Sequence, residues 1–93
     1  MATPERHTGR RAAALRYRGG DPAPELVARG HGHVADAILE AAAAAGVPVR
    51  EDTVLVQALD TLELGERVSP ELYQAVAEAL VWAYRLTGRR APA

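Results

Sequence analysis

The segment from residue 69 to residue 86 carries the strongest periodic pattern in the chain. Ser69 can cap a helix, and Pro70 suits the first helical position. Apolar side chains then recur every four residues, and apolar positions lie beside them: Leu72, Val76, Leu80 and Tyr84, with Tyr73, Ala77 and Val81 alongside. This spacing predicts one amphipathic helix with a wide apolar face, which packs against another element of the fold.

The size of the chain limits what this helix can pack against. Ninety-three residues, of which 48% are hydrophobic, suit one small domain, because so short a chain buries too little surface for a second core. The chain has no cysteine, so neither a disulfide framework nor a thiolate metal site can support the fold. No apolar run approaches the roughly 20 residues that span a bilayer. We therefore expect a cytoplasmic, unexported domain without a membrane span.

The two ends of the chain lack the periodicity of its middle. Residues 1–9 combine proline, glycine, threonines and charges without a repeating pattern, so we predict a flexible leader. Residues 89–93 hold two arginines and a proline after Gly88, which predicts a disordered tail. The predicted domain therefore spans residues 10–88.

Strand patterns are found in the first half of this domain. Ala13, Leu15 and Tyr17 fall on one face of a period-two segment, which predicts a strand. Residues 24–30 form a segment too short to settle its period, and it stays open between strand and helix. Residues 47–51 alternate directly after a helix stop, and they predict the third strand of the sheet.

Two further helices are predicted. The first follows Gly32 and stops at Gly46, with an apolar face at helical spacing: Val34, Ile38, Ala41 and Ala45, with Ala35 and Leu39 alongside. The second is capped by Asp52 and ends at Gly65, with three leucines inward: Leu55, Leu59 and Leu62. Strands interleaved with three helices predict an α/β fold, in which a small mixed sheet of about three strands is covered by the helices.

Several short segments stand in one order between residues 11 and 86. They include Ala-Ala-Ala-Leu-Arg-Tyr at 12–17, Ala-Pro-Glu-Leu-Val-Ala-Arg-Gly at 23–30, Gly-Val-Pro-Val-Arg-Glu at 46–51 and the closing helix. Their order and spacing resemble one family, the cytoplasmic (C-terminal) domain of FlhB/YscU-type export switch proteins of type III secretion. The resemblance implies that the open segment at 24–29 is a strand.

The resemblance also bears on catalysis. Members of that family cut their own chain at an Asn-Pro bond, where the asparagine side-chain amide attacks its own backbone carbonyl. The family's Asn-Pro-Thr-His positions align with His7, Thr8, Gly9 and Arg10, and this chain contains no asparagine. The resemblance therefore implies a protein that cannot cleave itself, corresponding to the downstream product without the strand that precedes the cleavage loop. We expect no enzymatic activity.

The family's other function is to bind export substrates. Carried over by position, its apolar patch falls on four residues here: Ala23, Pro24, Ala77 and Leu80. Small side chains beside a leucine form a depression that an apolar peptide side chain can enter. The implied partners are early rod- or hook-type substrates or export-apparatus proteins. The implied role is an accessory or substitute switch domain, in a flagellar or an injectisome system, with the oligomeric state left open.

Periodicity alone leaves other readings of the closing helix open. Ala77 and Leu80 also suit ordinary core positions, so their place in the patch rests on the resemblance. Trp82 and Tyr84 suit the core as well, although either can contribute to a partner surface.

Two rival site chemistries have some residues in their favour. His31 and His33 can share a metal ion on extended backbone, but a supported site needs a third or fourth ligand, so we predict solvated histidines with no metal and no cofactor. Arginines lie near both ends of the chain and leave nucleic-acid binding as an alternative: Arg6, Arg10, Arg11, Arg16, Arg18, Arg85, Arg89 and Arg90. A formal net charge of −1 argues against it, and no nucleic acid is expected.

Overall fold

The structure, a computed structural model, describes residues 1–5 and 10–88. Its elements in chain order are β1 (Ala2–Glu5), β2 (Arg11–Arg16), β3 (Glu25–His31), α1 (His33–Ala44), α2 (Thr53–Leu59) and α3 (Tyr73–Thr87), with a 3-10 turn (Pro70–Leu72) before α3. The strands form one antiparallel sheet of order β1-β2-β3. Helix α1 packs on one face of this sheet, and α2 and α3 cover the other. The predicted α/β class, with about three strands and three helices, is confirmed.

Strand β1 corrects part of the flexible leader predicted for residues 1–9. It pairs antiparallel with β2, in a register that sets Ala2 opposite Ala14. Ala2 and Thr3 are fully buried. The hydrogen-bond ladder with β2 orders these residues, and no local alternation of side chains is needed. The sequence of the leader therefore shows no strand pattern of its own. Residues 6–9 of the predicted leader lie outside the described residues, as does the predicted tail.

Residues 47–51 do not form the predicted third strand, whose place in the sheet β1 takes. Val49 makes an isolated parallel bridge with Ala2. The Ala2 amide donates to the Pro48 carbonyl at 3.1 Å, and the Arg50 amide donates to the Ala2 carbonyl at 3.0 Å. A proline has no amide hydrogen to donate, which limits how far a ladder can extend through residue 48. The parallel pairing is therefore confined to this one bridge.

The segment of open period forms β3, and its outer edge is covered at one end. The Leu26 amide donates to the Glu66 carbonyl at 2.9 Å, and the Gly65 amide donates to the Leu26 carbonyl at 2.8 Å. The Val68 amide donates to the Pro24 carbonyl at 2.9 Å. These three bonds join the beginning of β3 to residues 65–68, which shield that part of the edge from other strands.

Helix α1 lies close against the sheet through small side chains. Ala35 and Ala42, two turns apart, are its buried residues. A Cβ atom on Gly30 of β3 would overlap the side chain of Val34, so the helix approaches where the strand lacks one. Gly46, with φ 71°, follows the helix end as predicted. The predicted inward face is wrong in part, because Val34 is 55% exposed and two of its partners are also exposed: Ala41 and Ala45.

The main core lies between the other face of the sheet and the last two helices. Its buried members come from every one of these elements and from the loop before α3: Ala13, Leu15, Leu26, Leu55, Val56, Leu59, Leu62, Val68, Val76 and Ala79. The three leucines predicted to face inward are thus confirmed as buried. Helix α2 ends at Leu59, earlier than the predicted stop at Gly65, and Leu62 reaches the core from the turn that follows.

The predicted cap of α2 is confirmed and can be tested. The Asp52 carboxylate accepts from the Leu55 amide at 3.0 Å. Replacing Asp52 with alanine removes the acceptor, and we expect a loss of about 1 kcal/mol in the free energy of unfolding. Asp52→Asn is the matched control, because its side-chain oxygen still caps the helix. Equilibrium urea unfolding checks both variants, and equal losses in the two would contradict the capping role.

Candidate functional site

Helix α3 buries a narrower line of residues than its sequence pattern predicts. Val76, Ala79 and Ala83 are its buried residues. Three predicted apolar positions beside this line are exposed instead: Tyr73, Ala77 and Val81. Alanines at 79 and 83 let the helix approach the core closely, so α3 rests on its small side chains and leaves larger ones outside. The surplus apolar surface of α3 is available for contacts with another molecule.

The structure brings the four predicted patch residues together. They line one open depression of about 220 Å³ between the turn before β3 and the first half of α3, with four further residues: Ala23, Pro24, Ala77 and Leu80, joined by Tyr17, Pro22, Tyr73 and Val76. Val76 is buried, whereas Ala77 is exposed. We call this set the α3 depression.

The turn that forms one wall of the α3 depression is fixed by a residue that sequence reasoning missed. An Arg67 guanidinium nitrogen donates to the Ala23 carbonyl at 2.6 Å and lies 3.7 Å from the Asp21 carboxylate. Ala23 itself is 5% exposed, so the turn is anchored on both its backbone and its side chain. No periodic pattern marks Arg67, because its role depends on a contact with a residue distant in sequence.

Ordinary core packing was the alternative role for Ala77 and Leu80. It applies to Leu80 and not to Ala77. Leu80 is half-buried and packs against the main core, so it serves both the fold and the wall of the α3 depression. Ala77 is exposed and is free of any core role. The aromatic rings of Tyr17 and Tyr73 also line the depression, although the patch predicted from the family resemblance did not include them. Their tyrosine side chains combine apolar surface with a polar tip.

Tyr17 links the α3 depression to a neighbouring groove that contains Tyr84. Burial raises the pKa of the Tyr84 phenol above its ordinary value, and the nearby Tyr17 phenol adds a smaller rise. The first effect arises because a phenolate is poorly solvated when half-buried, and the second because two phenolates repel each other. The raised pKa of Tyr84 therefore reflects first its burial and then its position near Tyr17.

The aligned cleavage positions offer no reactive group in the part described. His7, Thr8 and Gly9 lie outside the described residues. Arg10 is exposed and forms an ion pair with the Asp36 carboxylate at 3.1 Å. Strand β1 precedes these positions, which corrects the expectation that the preceding strand is missing.

In the part of the chain that the structure describes, the fold adds no further residues to the metal site or to the nucleic-acid site that were considered as alternatives. His31 places Nε2 2.9 Å from an Asp60 carboxylate oxygen, and His33 is exposed at the start of α1. Within residues 1–5 and 10–88, no three His, Cys, Asp or Glu side chains cluster closely enough to hold a metal ion. Among the arginines, Arg16 pairs with Glu25 at 3.2 Å.

Within residues 1–5 and 10–88, no helix is long and apolar enough to cross a bilayer.

The fold and the α3 depression together define a small α/β domain with an apolar surface site of peptide side-chain size. Residues 9–83 match the FlhB HrpN YscU SpaS family. The chain belongs to this family of bacterial export proteins, and the resemblance seen in its sequence is confirmed.

Relatives of two sizes match the chain. YlqH of Bacillus subtilis is 42% identical over 78 residues, which cover 83% of this chain and 84% of that protein. The flagellar biosynthetic protein FlhB of Aquifex aeolicus is 40% identical over 73 residues, or 76% of this chain and 21% of FlhB. FlhB of Escherichia coli is 43% identical over 65 residues, which cover 69% of this chain and 17% of that protein. The chain thus spans about a fifth of FlhB and most of the short relative.

Solved structures of this family share the fold. A mutated EscU C-terminal domain superposes with a TM-score of 0.75 at 28% identity, covering 78% of this chain and 90% of that one. A mutated EscU/SpaS C-terminal domain superposes with a TM-score of 0.77 at 26% identity, covering 81% of this chain and 95% of that one. The architecture expected from the family is therefore confirmed over most of the described residues.

The effect of Tyr17 on the pKa of Tyr84 gives a titration test. Tyr17→Phe removes one phenolate, so the pKa of Tyr84 should fall, yet stay above its ordinary value because its burial remains. Ring-proton NMR across the alkaline range measures it, with circular dichroism to verify the fold. Tyr73→Phe is the control and should leave the Tyr84 titration unchanged. An unaltered Tyr84 pKa in Tyr17→Phe would show that the two rings are not coupled.

Proposed function

We propose that this protein is a cytoplasmic accessory to, or substitute for, the switch domain of a flagellar or injectisome export apparatus. In this proposal it binds early rod- or hook-type export substrates, or proteins of the apparatus, through the α3 depression. The observation that carries the proposal is the meeting of two distant segments, because Ala23 and Pro24 line the same depression as Ala77 and Leu80. Its membership of the export family supports the proposal that it acts with an export apparatus.

The chemistry of the α3 depression suits a short apolar motif. Its lining consists of alanine, proline, valine, leucine and tyrosine side chains, with no charged residue among them. An apolar side chain of a peptide can enter this depression of about 220 Å³, while neighbouring tyrosine hydroxyls can bond the peptide backbone. So small an interface favours modest affinity, as suits a substrate that binds and is then released.

The proposal assigns the protein a contact surface rather than a reaction. Cleavage of the family's type needs an asparagine amide to form a cyclic imide, and this chain contains no asparagine. Strand β1 precedes the aligned positions and β2 follows them, so in this proposal the two strands stay joined in one chain. Binding through the terminal arginines to a nucleic acid remains the alternative function, with less support because two of them, Arg10 and Arg16, pair with carboxylates.

Substitution at Ala77 tests the substrate site most directly. Ala77 is exposed, so Ala77→Glu should preserve the fold while placing a charge in the apolar α3 depression. We expect binding of a peptide from the N-terminal segment of a hook-type substrate to weaken at least about tenfold. Isothermal titration calorimetry measures the affinity, and thermal unfolding checks the stability.

Ala75→Glu is the matched control for this experiment. Ala75 lies on the same helix and is exposed, but it does not line the depression. Its variant should bind the peptide as the unchanged protein does. Equal losses in both variants, or no loss in Ala77→Glu, would remove the α3 depression from the substrate-binding role. Leu80 is less suitable for substitution because it also packs against the core.

The missing asparagine gives a second test. The purified protein should migrate as one intact polypeptide after prolonged incubation at neutral pH, because the cyclic imide cannot form. Denaturing gel electrophoresis with intact mass spectrometry measures this. Two stable fragments divided near residues 7–10 would contradict the proposal that the chain stays uncut.

A further inference from the structure

A second groove follows the outward face of α3 and goes beyond the proposed substrate site. It has a volume of about 700 Å³, and Ala77 is the residue that it shares with the α3 depression. Its apolar floor comprises Ala77, Val81 and Trp82. Val81 is 41% exposed and Trp82 is half-buried, so the floor is accessible to another molecule. We call this surface the Trp82 groove.

Two guanidinium groups border the Trp82 groove. The guanidinium carbon of Arg50 lies 6.0 Å from the centroid of the Trp82 ring. Arg85 lines the same groove from the following turn of α3. Within residues 1–5 and 10–88, neither group forms an ion pair with a carboxylate, in contrast to Arg10 and Arg67. Both guanidinium groups therefore stand where an anionic ligand in the groove can reach them.

The charges of the groove are ordered along the helix. Glu78 stands one turn before Trp82, and Arg85 stands one turn after it. A bound peptide must therefore place its carboxylates toward Arg50 and Arg85 and keep them away from Glu78. The apolar floor between the two ends suits an aliphatic side chain rather than a further charge.

We propose that the Trp82 groove binds an acidic peptide segment of a partner protein. An aliphatic side chain of this segment covers Trp82 and Val81, and the carboxylates that follow it pair with Arg50 and Arg85. A guanidinium that is weakly hydrated and already placed against an aromatic ring pairs with a planar carboxylate in two parallel hydrogen bonds. The charge complementarity of the groove therefore defines the chemistry of its occupant.

A protein segment fits this groove better than a nucleic acid. A nucleic acid presents a continuous row of phosphates, and one of them would lie near the Glu78 carboxylate. The floor offers apolar surface, and the net charge of the chain is −1. A peptide with an uncharged aliphatic side chain ahead of its carboxylates avoids both difficulties.

Trp82 provides the signal for a direct test because it is the only tryptophan in the chain. The probe is a capped synthetic dodecapeptide containing two leucines, each followed by two glutamates. Titration of this peptide should change the Trp82 emission with saturation in the micromolar range, up to about 1 mM. A peptide with glutamine in place of every glutamate is the matched ligand control, and it should bind at least about fivefold more weakly.

Variants at the two ends of the groove distinguish ordered charge recognition from general attraction. Arg50→Gln and Arg85→Gln should each weaken binding of the acidic peptide about fivefold. Glu78→Gln should strengthen it about twofold, because a repelling carboxylate is removed. Arg10→Gln changes the net charge equally but lies outside the groove, so it should have no effect. Calorimetry repeats each measurement independently of the Trp82 signal.

Four outcomes would overturn the proposal. The first is equal binding of the glutamate and glutamine peptides, and the second is an Arg10→Gln effect as large as that of Arg85→Gln. The third is displacement of the peptide by a single-stranded oligonucleotide that binds more tightly. The fourth is quenching that follows self-association in sedimentation velocity. Ala77→Glu changes both surfaces because Ala77 borders both, whereas Arg50→Gln and Arg85→Gln leave the lining of the α3 depression unchanged. The arginine variants should therefore bind the hook-type peptide normally, which separates failure of this proposal from failure of the proposed substrate site.

Discussion

Leu26 joins the sheet to the segment that shapes the α3 depression. Its side chain is fully buried in the main core, while its amide and carbonyl bond to residues 65–66 instead of to a further strand. The same segment continues to Arg67 and Val68, whose hydrogen bonds hold the turn at 23–24. Because the chain has no cysteine, no disulfide can replace this edge contact. The shape of the proposed substrate site therefore depends on how β3 is bordered.

Helix α3 carries more apolar surface than the core can cover. Its buried line runs through Val76 and two alanines, so the helix lies close to its neighbours and leaves a surplus on both sides of that line. One side contributes to the uncharged α3 depression, and the other forms the Trp82 groove with its arginines. Ala77 borders both surfaces. One helix thus offers two adjacent surfaces of different chemistry, which suits the two binding roles proposed for it.

Local patterns predicted some elements well and others poorly, for identifiable reasons. Asp52 and the three inward leucines of the α2 region follow from capping chemistry and helical spacing, and both are confirmed. Strand β1 was missed because its order comes from pairing with β2. The segment at 47–51 alternates like a strand, but it makes one bridge to β1, since Pro48 has no amide hydrogen to extend the pairing. Val34 is exposed although its side chain lies against Gly30 of β3, because the buried contacts of α1 run through Ala35 and Ala42.

The sequence by itself determined the α/β class, the closing helix, the family and the lack of an asparagine for self-cleavage. These properties depend on residue identity and short-range spacing, which a sequence displays directly. Only the tertiary structure decided that the 23–24 turn meets α3, that Arg67 holds this turn, and that Arg50 lies over Trp82. Such contacts join residues distant along the chain, and their geometry follows from packing and strand register rather than from any local pattern.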